Sequence, residues 1–162
     1  MTTPAGRSED RQVNPLAQTA LSGSMSVGAQ LLTQLKQAHD ALLTELDAMD
    51  EVHAERTPDF NHYTTVRWRL TKASRARRTI IEQAVTKLRE RASPADLAVL
   101  TKLRAEDIEA VRRSSEHVYR WTAEAVRQEW ASYRQASATV RASMRARIGL
   151  EQESLIPLLA RY

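Results

Sequence analysis

Arg147 and Glu151 stand one helical turn apart in the closing stretch RARIGLEQESLIPLL, in line with the apolar residues Val140, Met144, Leu155 and Leu158. An arginine and a carboxylate at that spacing can form a bidentate, charge-assisted pair. On an apolar stripe the pair would be buried, where the loss of hydration of both charges can cancel their attraction. His39 poses a similar question. Leu35, Leu42, Leu43 and Leu46 lie at i−4, i+3, i+4 and i+7 from it, so its imidazole is expected to point inward. His117 has Val118 and Trp121 beside it but shares its face with Arg113 and Glu124, which puts it at the edge of a core.

Other groupings are weaker. SSEHVYR sets Ser114, Ser115 and Glu116 beside His117, as a nucleophile and a base would be, but neighbours on a helix point in different directions and no third orienting group is present. With no glycine-rich phosphate loop and no cysteine, the chain is not expected to be an enzyme. VRWRLTKASRARRTI interleaves Arg67, Arg69, Lys72, Arg75, Arg77 and Arg78 with Trp68, a surface for an anionic partner, nucleic acid included. Such binding would weaken steeply with salt. These cations cover more than one helix face and acidic segments flank them, so a solvated helix paired with an acidic neighbour is the simpler reading. His53 and His62 bracket a turn and are expected to be exposed. Trp68, Trp121, Trp130, Tyr119 and Tyr133 could line a ligand pocket or a protein-binding surface, but most of them are expected to be core or boundary aromatics, with Trp130 and Tyr133 packed near the third turn.

These residues need elements to position them. A chain of 162 residues fits one domain and can bury a core without disulfides. Beyond Ser24 there are only two glycines and three prolines, so long uninterrupted helices are expected. The spacing Leu32, Leu35, Leu42, Leu46, Met49 is helical, as is Val66, Leu70, Ala73, Ile80, Ala84, Leu88. Strand-like alternation is absent. Thr57-Pro58-Asp59 and Ser93-Pro94-Ala95-Asp96 read as helix starts, with a hydroxyl cap, proline at the first helical position and an acid in the first turn. Ser132-Tyr133-Arg134-Gln135 matches a capping box. The cuts define helices near 25–56, 58–91, 94–131 and 133–160, joined by short connections that favour an up-down-up-down antiparallel four-helix bundle. Residues 1–24 read as a disordered arm and residues 25–162 as the bundle.

Net charge is +4 but unevenly spread: Met25 to Arg56 holds two basic and six acidic residues, Phe60 to Ala92 nine basic and two acidic. The two segments would attract each other as neighbouring helices. No apolar run approaches the roughly 20 residues of a membrane span, and the polar, proline-broken opening lacks the apolar core of a secretory signal. A cytoplasmic location, with no membrane partner, is the expectation.

Three motifs resemble those of the hemerythrin-like, HHE cation-binding family. LKQAHDALLTELD is similar to its first-helix motif, with His39 at the ligand position. SSEHVYRWTAEAV is similar to the third-helix motif, with His117 there, and EQESLIPLL to the close of the fourth helix, with Glu151 at the carboxylate. The resemblance spans about Leu31 to Leu159. It departs from the family at Arg147, where the histidine partner of Glu151 would stand. It departs again in the second helix, where aligning RRTIIEQAV on Ile80 and Ile81 puts Lys72 and Ala76 at the family's histidine and glutamate. Positions 39, 72, 117 and 147 have midpoints near residues 55, 94 and 132, beside the three turns named above, which supports one shared layer.

The resemblance implies a bundle with a degenerate metal site. Without metal an inward Glu151 would be costly, so Arg147, helped by Lys72, is expected to supply the cation in a structural polar layer. The expected role is a non-catalytic regulatory or protein-interaction module, in bacterial stress response or signalling, with no cofactor and an unidentified protein partner. One alternative is a metal- or oxygen-responsive sensor holding one Fe or Zn through His39, His117 and Glu151. Another is a basic helical nucleic-acid binder using Arg67, Arg69, Arg75, Arg77 and Arg78.

Overall fold

The structure, a computed structural model, describes residues 26–162, so the arm expected at 1–24 lies outside the described residues. These form five helices packed together: α1 Val27–Ala54, α2 Phe60–Arg89, α3 Pro94–Arg120, α4 Ala123–Gln128 and α5 Trp130–Arg161. Among the described residues there is no strand, and no described helix is long and apolar enough to cross a membrane.

Capping chemistry sets most of the ends. Ser26 accepts from the Ala29 N–H at 3.1 Å to open α1, and Ser93 accepts from the Asp96 N–H at 3.2 Å with Pro94 in the first turn of α3. At the first turn the cap is Asp59, not Thr57: its carboxylate accepts from the N–H groups of Asn61 and His62, and α2 starts two residues later than the proline suggests. A carboxylate at a helix N-terminus also meets the positive end of the helix dipole.

The expected third helix is broken. It stops at Arg120, the buried Trp121 leaves helical geometry, and Thr122 caps the short α4 by accepting from the Ala125 N–H at 3.2 Å. A second departure at Glu129 precedes α5, so Ser132 lies inside the first turn of α5 and caps nothing. The double bend has a packing cause. It carries Trp121 and Val126 into an aromatic cluster with Tyr63 and Tyr133, closed by Met49, Val52 and Val66.

Two aliphatic clusters complete the core. One joins Leu31 and Leu35 of α1, Ile81, Val85 and Leu88 of α2, Leu100 of α3, and Leu155 and Leu158 of α5. The smaller one holds Leu42, Leu46 and Ile148. Helix α1 packs most extensively on α2 and then on α5. Its pairs with α5 run in opposite order along the two chains. Gly28 meets the backbone of Leu159 and Tyr162, His39 meets Glu151, Asp47 and Asp50 meet Arg145, and His53 meets Arg141. A Cβ at position 28 would lie 2.9 Å from the Tyr162 carbonyl carbon, so glycine is needed for that approach. Helix α3 is the loosest long element: it rests chiefly on α5, touches α2 at few points, and buries only Leu100 and Ala110 of its 27 residues.

Candidate functional site: a buried ionic layer beside an arginine-lined cleft

Between the two aliphatic clusters lies a polar layer. Glu151 is 5% exposed, and its carboxylate accepts from His39 Nε2 at 2.8 Å on one oxygen and from Arg77 Nη1 on the other. His39 and Arg77 are buried as fully as their partner. Burial pushes the Glu151 carboxyl up. The hydrogen bond from His39 and the adjacent Arg77 guanidinium outweigh it and hold the group below the ordinary carboxylate value. The arrangement is a carboxylate between one cation and one imidazole donor. Two buried nitrogens remain without partners, His39 Nδ1 and Arg77 Nε.

The expected cations are elsewhere. Arg147 turns away from Glu151 and binds Asp107 of α3. Lys72 is exposed and sits over the Trp68 ring, 5.2 Å from its centroid, while Ala76 faces solvent. On α2 it is Arg77, next to Ala76, that reaches the layer. Position 77 continues the stripe Val66, Leu70, Ala73 towards Ala84 and Leu88, and it is the one heptad place on that stripe filled by a charge. That charged place in the stripe is the sequence signal for Arg77, and the Ile80-Ile81 pair gives no sign of it. Asp107 carried no comparable signal, since its partner lies forty residues away.

His117 does not join His39 and Glu151. It is half-buried and stacks on Tyr133, with ring centroids 5.7 Å apart. Burial, and then the charges of Arg67 and Arg141, lower its pKa. Among the described residues no group of three or more His, Cys, Asp or Glu side chains is placed to hold a metal ion.

His53, expected at the surface, is buried. It lies edge-on to Trp130 and Tyr133, and its Nδ1 accepts from Arg141. Arg141 also donates to Asp50 at 2.6 Å and Ser137 at 2.7 Å. Burial first, then the Arg141 charge, depresses the His53 pKa to about 4 against the opposing pull of Asp50. His62 is exposed as expected. Most of the five aromatics are indeed packed: Trp121, Trp130 and Tyr133 cluster at the α4 turns, while Trp68 is 63% and Tyr119 88% exposed. Of the acids of α1, Asp47 and Asp50 meet arginines of α5, and Glu45 reaches across to the basic α2, at Arg69.

The sparse meeting of α2 and α3 leaves a cleft floored by α5, with a cavity of about 640 Å³. Arg67, Arg75, Arg77 and Arg78 line its α2 side, and Arg113, Arg141 and Arg147 approach from the other two helices. Among the described residues, Asp107 is the one acid in the lining. Arg67 is held by the Tyr63 hydroxyl at 2.9 Å and the Trp121 carbonyl at 3.1 Å. Arg75 is exposed and Arg78 half-buried, and neither makes an ion pair among the described residues. Burial and the nearby charges of Arg77 and Arg78 lower the pKa of Arg147 to about 10. The cleft is therefore an anion-attracting concavity with unspent guanidinium groups.

Compared with protein-family models, curated proteins and solved structures, the chain has no match.

Proposed function

We propose that the chain is a non-catalytic regulatory module whose ligand site is the α2–α3 cleft and whose ionic layer is structural. The observation that carries the reading is the gathering of Arg67, Arg75, Arg77 and Arg78 on one wall of a cavity of about 640 Å³. That volume lies within the range of small-molecule sites. The long helices α1, α2, α3 and α5 are read as an up-down-up-down bundle, which the opposed order of the α1–α5 pairs supports. In that arrangement α3 is the wall with least to lose by moving, because only Leu100 and Ala110 anchor it among buried residues. A ligand bridging α2 to α3 binds the arrangement in which both walls reach it better than one in which α3 has moved off, and that difference in affinity shifts α3 towards the closed arrangement. Ile108, 62% exposed, and Tyr119 give α3 apolar surface for a protein partner to read.

The test is hydrogen exchange with and without inorganic phosphate and decanoate. Slower exchange in residues 107–119 of α3, absent in Arg75→Ala/Arg78→Ala, is the expected result. Unchanged exchange with both anions overturns the reading.

A one-metal site remains the principal rival, since His39 and Glu151 are adjacent. A metal there would have to displace Arg77 from Glu151 and overcome its charge. Titration with Fe(II) and Zn(II) separates the two: a raised unfolding temperature at one equivalent, lost in Glu151→Gln, favours metal, and an unmoved transition favours the ion pair.

A further inference from the structure

The cleft has a chemical grain, and on the reading of it as the ligand site we infer that its ligand is an amphipathic organic anion: one carboxylate or phosphate head joined to an apolar body. The head belongs at the end where Arg77, Arg78 and Arg147 converge, and the body lies along Leu70, Val111, Val140 and Met144.

Charge places the head. Glu151 is engaged by Arg77 and Asp107 by Arg147, which leaves Arg78 without a carboxylate in a group of three guanidiniums. The crowding adds to burial at Arg147, whose proton is loosened first by the loss of hydration and then by the charges of Arg77 and Arg78. An anion there would relieve the repulsion and give Arg78 a planar, bidentate acceptor. Arg77 itself, 96% buried, is part of the same lining, and its Nε is a donor left without a partner behind the guanidinium that holds Glu151.

Side-chain size places the body. A gap between two long helices is ordinarily filled by large apolar residues. Here Ser74 of α2, Ala110 and Ser114 of α3, and Ala136 and Ser143 of α5 hold the space open. Val111, Val140 and Met144 are only partly covered, although each stands on a helix of this cleft. Leu70 and Met144 also pack against the small aliphatic cluster, so the apolar floor is continuous with the core. From Leu70 to Arg78 the α2 wall runs about 12 Å at 1.5 Å per residue. That span suits a straight apolar body of about ten carbons and does not suit a bare inorganic anion.

Isothermal titration of the full chain with decanoate, hexanoate, decanol and inorganic phosphate, all below micellar concentrations, tests the inference. One equivalent of decanoate is expected to bind, and each pair of methylenes added between hexanoate and decanoate should tighten binding about tenfold. Arg78→Ala should weaken decanoate about tenfold, in keeping with a lost charge-assisted hydrogen bond. Ser114→Leu, which fills the space for the body, should abolish decanoate binding and leave the weak phosphate binding as it was. Phosphate binding as tightly as decanoate would keep the cleft as an anion site and overturn the amphipathic ligand. Decanol binding as tightly as decanoate would overturn the head. Binding of none of the four would overturn the inference and the cleft reading together.

Discussion

At the scale of single residues, the ionic layer depends on a charge balance. Glu151 is tolerable in the core because Arg77 cancels its charge and His39 donates to its second oxygen. Removing one partner of a buried pair is more damaging than removing both. Arg77→Met is thus expected to cost about 3–5 kcal/mol of unfolding free energy, and Arg77→Met combined with Glu151→Gln to recover much of that loss. Urea unfolding of the two variants and the parent measures this, and an Arg77→Met chain as stable as its parent would show that the layer has no structural role. What could be read from sequence at this scale was the inward stripe. Leu35, Leu42 and Leu46 place His39 correctly, and Leu155 and Leu158 place Glu151. The cation was misassigned because Arg147 lies on the same helix as Glu151 and one turn away, which makes it the obvious partner in one dimension. Arg77 reaches the carboxylate from α2, across the core. Such a pairing is set by three-dimensional packing, although the charged gap in the α2 stripe pointed to it.

At the scale of elements, α1 and α3 stand in contrast. Helix α1 buries nine residues along its length and α3 two, so the helices should differ in local stability although they are nearly equally long. Amides in the middle of α3 are expected to exchange at least about tenfold faster than those of residues 35–49 in α1, since local opening follows the amount of buried contact. Equal protection would show that α3 is held as tightly as the core and would remove it as the responsive wall. The α3–α4 bend is testable in the same way: Thr122→Ala should cost about 1 kcal/mol through the lost cap and should loosen Trp121 fluorescence with it. The start of α3 was legible because a hydroxyl cap and a proline coincide there. The bend was missed because no glycine or proline marks it. Its sequence sign is modest, a threonine followed two residues later by Glu124, and its cause is the attraction of Trp121 and Val126 for an aromatic cluster assembled from α1, α2 and α5.

At the scale of the whole molecule, the buried titrating groups on the two sides of the core respond to acid with the same sign. His53 has a folded pKa of about 4 against an ordinary 6.5, so the unfolded chain binds the proton first. Its contribution is full above pH 6.5 and is lost as pH falls towards 4. The lowered His117 pKa acts in that direction too. Glu151, held below its ordinary value of 4.5, contributes stability above that pH that is lost as acid protonates the folded carboxyl. The two losses therefore follow one another. Stability should be nearly flat from pH 8 to 7, then fall between 6.5 and 4 by about 1.4 kcal/mol per pH unit for each proton taken up, and fall further below 4.5. Urea midpoints across that range check the slope. In His53→Phe the upper slope should shrink by about one proton while the fall below 4.5 persists, and in Glu151→Gln the reverse should hold. A parent midpoint independent of pH between 6.5 and 4 would mean that His53 is hydrated and protonates as freely in the folded chain as in the unfolded one. The edge-on packing of Trp130 and Tyr133 and the Arg141 contact argue against that outcome, because together they cover most of the ring and leave His53 5% exposed.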